Sequence, residues 1–112
     1  MLNTLQKHQK HWWSLTDDDG RDVPLTEVNQ KNVLGESPIH IAAWKGDVED
    51  IEWLIENGAN LNERGEFEMT PLHYAYMGGI QCNIDLLKKL GADQLAKCDR
   101  GLMPHERPRH PI

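Results

Sequence analysis

Apolar residues recur with helical spacing in two stretches of the chain, and proline and glycine bound each stretch. Ile51, Leu54 and Ile55 follow one another at intervals of three and one, and Ile84 and Leu87 are three residues apart. Such spacing gathers apolar side chains on one face of a helix. Together with the positions of proline and glycine, it predicts four helices, at about 38–45, 48–57, 71–78 and 83–90.

The two stretches are copies of one unit. Residues 37–42 read SPIHIA, and 33 residues later 70–75 read TPLHYA; likewise GAN at 58–60 returns as GAD at 91–93. A hydroxyl residue followed by proline is a typical helix start, since the hydroxyl caps a backbone N–H and proline fits the first turn. A glycine that follows a helix ends it cheaply. Each unit is therefore predicted to be a pair of helices.

These motifs resemble the T-P-L-H-x-A signature of ankyrin repeats, and the resemblance covers about residues 28–106. It implies an all-α solenoid of helix–turn–helix units joined by short hairpin loops. It also implies a structural role for His40 and His73, whose rings would bond backbone groups between adjacent hairpins and helices. The chain departs from the family pattern at Asp50 and Asn83, where an aliphatic residue is usual. It also departs at Glu68, which replaces a hairpin glycine, and at Tyr76, which replaces an alanine. We expect these departures to weaken the packing between repeats or to tune it for a partner.

We expect one domain over residues 1–112. Its predicted parts are an N-terminal capping helix (1–15), a loop or hairpin (16–34), two ankyrin repeats (35–67 and 68–100), and a truncated repeat with a tail (101–112). The capping helix rests on the near-helical spacing of Leu2, Leu5 and the Trp12-Trp13 pair, whose face would pack on the first repeat. The alternative is that the tryptophan pair forms an exposed partner site. Pro108 would interrupt a third-repeat helix.

Negative charge is concentrated in the middle of the chain. Residues 17–68 hold 14 acidic and four basic residues, whereas the whole chain has a net charge of −6. Such a body repels nucleic-acid phosphates and favours basic partners. The sequence also has no apolar run of bilayer length and no signal-peptide core. We therefore expect a cytoplasmic protein that binds neither nucleic acid nor membrane.

The sequence offers little for catalysis. It contains no nucleophile elbow, P-loop or dinucleotide fingerprint, and Cys82 and Cys98 match no metal spacing. His8 and His11 lie three residues apart, but a zinc site usually needs three or four ligands. We expect no enzyme activity, no cofactor and no metal.

The resemblance implies that partners bind at the hairpin tips and on the exposed side of the first helices. The residues of this chain at those positions are Val33, Leu34, Glu36, Trp44, Lys45, Glu66, Phe67, Met69, Met77, Asp99, Arg100 and Leu102. Many of them are large and apolar, which is typical of binding hot spots, and acidic residues accompany them. The alternative is that Val33, Leu34 and Phe67 fold back into the core.

The function predicted from the sequence is a non-catalytic module that binds another protein, one with a basic surface, and inhibits or masks it. Small acidic proteins of this build resemble immunity proteins that neutralise toxins, often basic nucleases, so an antitoxin is the most specific form of the hypothesis. The alternative is a structural, assembly or regulatory subunit of a larger complex. An open end of the stack would also allow a homo-oligomer.

Overall fold

The computed structural model describes residues 28–31 and 35–106. They form four α-helices: α1 (Pro38–Lys45), α2 (Val48–Glu56), α3 (Pro71–Gly78) and α4 (Gln81–Leu90). A 3-10 turn, Glu66–Glu68, lies between α2 and α3. No strand occurs within these residues, and the predicted all-α fold is confirmed. The predicted capping helix at 1–15 lies outside the described residues, as does most of the loop at 16–34.

The helix bounds follow the sequence prediction closely. The first helix of each pair, α1 and α3, has the predicted limits. Helix α2 ends one residue early, since Asn57 is its C-cap. Helix α4 begins two residues early, at Gln81, whose side-chain amide donates to Asp85 Oδ1 at 2.9 Å. The added first turn presents exposed polar side chains to solvent, so the apolar pattern did not mark it.

The helices form two layers around one apolar seam. Helix α1 packs chiefly on α3, and each of them also packs on the second helix of its own pair. The inner layer is closely spaced because its facing residues are small: Ala42 and Ala75 are wholly buried. At Gly78 the approach is closest, since an added Cβ would lie 2.2 Å from the carbonyl oxygen of Trp44. The seam thus depends on residues without bulk.

Two buried histidines join the first helices to the hairpins. The Nδ1 atom of His40 accepts from the Ser37 backbone N–H at 3.0 Å, and its Nε2 lies 2.8 Å from the carbonyl oxygen of Glu63. His73 repeats the arrangement, with Nε2 at 2.8 Å from the Leu102 oxygen. A neutral ring, with one acceptor and one donor, satisfies both partners. Burial lowers the pKa of both histidines. The structural role implied by the family motif is confirmed.

The two polar residues that depart from the family pattern have different roles in the stack. Asp50 belongs to the N-terminal cap of α2, where its backbone N–H donates to Asp47 Oδ1 at 3.0 Å. Asn83 is wholly buried, and its Nδ2 donates to the carbonyl oxygens of Ala43 and Gly46, both at 3.2 Å. Since these carbonyls lie at the end of α1, Asn83 ties the second repeat to the first. At Asn83 these hydrogen bonds strengthen the packing that the departures were expected to weaken or to tune for a partner.

A hairpin and a turn follow α4 within the described residues. The Cys98 N–H donates to the Leu102 oxygen at 2.9 Å, and Pro104 is buried. A turn follows, in which the Glu106 N–H donates to the Met103 oxygen at 2.9 Å. Up to residue 106 this segment forms a turn and not a helix. Pro108 lies outside the described residues.

Candidate protein-binding groove

A groove with a volume of about 250 Å³ opens where α1 and α3 face the hairpin that precedes α3. Helices α1 and α3 contribute Trp44, Tyr74 and Met77, and the segments outside the helices contribute the charged side chains together with Phe67, Met69 and Cys98. The residues that line this binding groove are Glu36, Trp44, Glu66, Phe67, Met69, Tyr74, Met77, Cys98, Asp99 and Arg100. They come from both helix pairs and from the hairpin that follows α4. Only the stacking of the units assembles the groove.

Most of the residues predicted from the sequence line this groove. They are Glu36, Trp44, Glu66, Phe67, Met69, Met77, Asp99 and Arg100. Lys45 lies beside the groove, with its Nζ 4.2 Å from the centre of the Trp44 ring. Leu102 lies elsewhere, and its carbonyl oxygen receives bonds from Cys98 and His73. Val33 and Leu34 are outside the described residues, so their role stays a prediction.

Two groove residues were missed by sequence reasoning, Tyr74 and Cys98. Tyr74 occupies the variable position of the repeat motif, where the first repeat has the buried Ile41. Its ring is buried, and its hydroxyl donates to Glu36 Oε2 at 2.8 Å. The pKa of Tyr74 is raised, chiefly because the ring is buried and to a lesser extent because of this hydrogen bond. A tyrosine where the other repeat has isoleucine was the signal that a polar atom lies at this site.

The hairpin before α3 holds Phe67 in an unusual backbone conformation. Phe67 and Glu68 have φ angles of 58° and 62°, in the left-handed region that is unfavourable for residues other than glycine. The Gly65 N–H donates to the Met69 oxygen at 2.8 Å, and the Asp99 N–H donates to the Phe67 oxygen at 2.9 Å. These bonds maintain a strained turn, a feature that often accompanies binding sites. Phe67 remains 52% exposed, so the alternative that it joins the core is wrong.

The charges around the groove are mixed but predominantly acidic. Glu36 is only 6% exposed, despite its carboxylate. Glu66 is half-buried and Asp99 is exposed. Arg100 is the cation among the lining residues, and its guanidinium carbon lies 6.0 Å from the centre of the Phe67 ring. The groove therefore combines aromatic faces with carboxylates, one of which is enclosed.

Other chemical features of the described residues are few. Cys82 is exposed and Cys98 is half-buried, and both are free thiols. Within residues 28–31 and 35–106, no three histidine, cysteine or acidic side chains are grouped as a metal site would need. None of the helices in these ranges has the length and apolar character that crossing a bilayer would require. His8 and His11 lie outside the described residues.

Paired helices that share one seam and leave a groove beside their hairpins define a helical-repeat protein. A family model described as ankyrin repeats in three copies matches residues 13–98 of this chain. The chain belongs to the ankyrin-repeat family. Ankyrin repeats are protein–protein interaction modules, and they are generally non-catalytic. The match begins within the stretch predicted as the capping helix, and the division of the chain into the five predicted parts stays a prediction.

Curated relatives share these repeats within longer chains. Protein phosphatase 1 regulatory subunit 27 of Homo sapiens is 35% identical over 86 residues, which cover 77% of this chain and 54% of the relative. Transient receptor potential cation channel subfamily A member 1 of Homo sapiens is 36% identical over 58 residues, and 5% of its length is covered. Alpha-latrotoxin-Lhe1a of Latrodectus hesperus is 40% identical over 58 residues, and 4% of its length is covered. The chain thus spans between a small fraction and about half of the relatives it matches.

Proposed function

We propose that this chain is a non-catalytic module that binds a basic partner protein through the groove and thereby masks part of the partner's surface. The observation that carries the proposal is the groove itself. It combines Trp44 and Phe67, both large side chains of the type enriched in binding hot spots, with a buried carboxylate at Glu36. A strained hairpin keeps Phe67 exposed before any partner arrives, so little ordering entropy is lost on binding.

Charge supports the basic character of the partner. The chain has a net charge of −6, and Glu36, Glu66 and Asp99 all line the groove. Complementary charge accelerates diffusional encounter, and salt screens that acceleration. We expect the association rate to fall steeply with ionic strength, whereas the dissociation rate depends mainly on the aromatic contacts.

The test is a capture experiment on an extract of the cells in which the protein occurs, at low salt, with the untagged full chain coupled to a resin. The wild-type chain is compared with Trp44→Ala and Phe67→Ala. If both are hot spots, each variant weakens binding of the captured protein by about 2 kcal/mol, roughly thirtyfold in dissociation constant.

The matched control is Leu95→Ala. Leu95 is 74% exposed and lies in the turn after α4, away from the groove. This variant should retain the partner with unchanged affinity. A partner that is captured equally well by Trp44→Ala and Phe67→Ala would refute the groove as the binding site, and an acidic partner would refute the proposed charge complementarity.

Inhibition of a basic toxin is the most specific form of this function, in keeping with the resemblance to immunity proteins. A second candidate, a regulatory subunit of an enzyme, is favoured by the 35% identity to protein phosphatase 1 regulatory subunit 27. The captured partner distinguishes them: a toxin loses its activity stoichiometrically, whereas a regulated enzyme changes its rate or its substrate preference. Light scattering over a range of concentrations tests the further alternative of self-association, for which the exposed Leu90 and Leu95 offer apolar contact. A cytoplasmic location is part of the proposal.

A further inference from the structure

Two aromatic rings of the groove, the half-buried Trp44 and the exposed Phe67, already carry a cation from the chain itself. The Nζ of Lys45 lies 4.2 Å from the centre of the Trp44 ring, and the guanidinium carbon of Arg100 lies 6.0 Å from the centre of the Phe67 ring. The negative face of an aromatic ring attracts cations within about 6 Å. The contact of Arg100 is at the outer limit of this range, so displacing it is inexpensive. The rings are therefore oriented to receive a positive charge.

Carboxylates complete the environment that a cation needs. Glu36 lines the groove while almost wholly buried, and the Tyr74 hydroxyl holds one of its oxygens in place at 2.8 Å. Glu66 is half-buried on the same groove. A carboxylate in an apolar enclosure interacts more strongly with an opposite charge than one in water does. An uncharged apolar occupant would gain nothing from either residue.

The size of the groove is sufficient for a single long side chain. Its volume, about 250 Å³, is below the roughly 300–1,000 Å³ of pockets for drug-sized ligands. Met69 and Met77 also line it, and their flexible side chains suit the methylene stem of a long cationic residue. A planar guanidinium stacks on aromatic rings and can donate to a carboxylate in two places, which an ammonium cannot do equally well.

From these observations we infer that the groove takes an arginine side chain of the partner, stacked against Trp44 and Phe67 with its guanidinium directed to Glu66. The inference rests on the proposed function, because it names the residue by which the basic partner is recognised. In the bound state the partner's guanidinium replaces Arg100 on the Phe67 ring, because two positive charges at the same ring would repel each other.

The test titrates the full chain with N-acetyl-arginine amide and follows the NMR signals of the Trp44 indole N–H and the Phe67 ring. N-acetyl-citrulline amide, which has nearly the same shape but no charge, is the matched ligand control. We expect citrulline to bind at least about tenfold more weakly, equivalent to ~1.4 kcal/mol. Capped lysine should rank between the two, and capped leucine should resemble citrulline.

Three variants are expected to change the binding of capped arginine in different ways. Glu66→Gln should weaken the binding of capped arginine severalfold, because it removes a carboxylate partner. Arg100→Gln should strengthen it severalfold, because it removes the resident cation. Glu52→Gln removes the same charge as Glu66→Gln from the exposed face of α2, which contributes no lining residue, and should change nothing. A merely apolar groove would show none of these differences.

The outcomes separate this inference from the proposed function. If capped leucine or citrulline shifts the groove signals as strongly as capped arginine, or if capped arginine shifts none of them, the arginine inference is wrong. The proposed function then still stands if Trp44→Ala and Phe67→Ala lose the captured partner. If those variants keep the partner although capped arginine binds, the groove recognises arginine but is not the partner's docking site.

Discussion

The strongest prediction concerns Asn83, whose buried amide joins the two repeats. Its Nδ2 donates to the Ala43 and Gly46 oxygens, each at 3.2 Å. The substitution Asn83→Asp keeps the shape of the side chain but replaces the donor by a second acceptor. The change therefore converts two attractive contacts into two repulsive ones without creating a cavity.

The expected cost follows from these contacts. Each lost hydrogen bond is worth about 0.5–1.5 kcal/mol net, and a carboxylate that is enclosed without a cation costs several kcal/mol more. We expect the free energy of unfolding at pH 7 to fall by at least about 3 kcal/mol. Domains are typically stable by only about 5–15 kcal/mol, so this loss is readily measured by urea unfolding followed by circular dichroism.

The pH dependence provides an independent check. Burial raises the pKa of the introduced carboxyl in the folded state, whereas in the unfolded chain it is near 3.9. At a pH between the unfolded and the folded pKa, the carboxyl is ionised in the unfolded state and protonated in the folded state. The loss of stability relative to wild type therefore grows as the pH rises and shrinks towards pH 4. Taking the difference from wild type at each pH removes the contribution of the other groups.

Two further variants make the result interpretable. Asn62→Asp is the control, because exposed Asn62 uses its oxygen to accept from the Asp93 N–H at 2.8 Å; it should cost less than about 0.5 kcal/mol. Asn83→Leu also removes Oδ1, which lacks a hydrogen-bond partner, and should cost only about 1–2 kcal/mol at every pH. If Asn83→Asp costs under about 1 kcal/mol, or if its cost does not shrink on acidification, Asn83 is not the donor that we describe.

Three more predictions follow from the strained turn, the buried histidines and the close helix contact. Glu68→Gly should raise the free energy of unfolding by about 0.5–1 kcal/mol and thus the melting temperature, because glycine adopts a φ of 62° without strain. An unchanged or lower melting temperature would contradict the strain. Because the pKa values of His40 and His73 are lowered in the folded state, the unfolded chain binds more protons below about pH 6.5. The free energy of unfolding measured with urea should therefore fall as the pH drops from 7.5 to 5.5, by less than about 1.4 kcal/mol per pH unit for each ring. A free energy of unfolding that rises over this range would contradict this. Gly78→Ala should destabilise by about 1–3 kcal/mol, since the new methyl group meets the Trp44 carbonyl; the gain of about 1 kcal/mol expected at an exposed helix site would refute the contact.

Much of the fold could be predicted because the relevant signals are local. The hydroxyl and proline residues at 37–38 and 70–71 predict the first residue of α1 and of α3 correctly. The start of α4 was misjudged because Ile80, its N-cap, offers no side-chain acceptor and the first turn is polar. Helix ends without a cap leave no mark in the sequence.

The candidate site was predictable to the extent that the repeat register assigns residues to hairpins and first helices. Trp44, Phe67 and Met77 were found in this way, and all three line the groove. Tyr74 was missed because its position in the repeat is ordinarily a core position. The repeat register does not indicate which residue the tyrosine hydroxyl will contact. Leu102 was placed in the site because register alone cannot show that a residue acts through its carbonyl.

By itself, the sequence determined the helices, the repeat and the acidic character, since all three depend on neighbouring residues or on composition. Only the tertiary structure decided how the repeats meet. It brings the Asn83 amide to the end of α1 and the Tyr74 hydroxyl to Glu36, which is 38 residues away in the chain. Contacts of this kind depend on the distance and angle between packed helices, and the spacing of residues along one chain contains no such information.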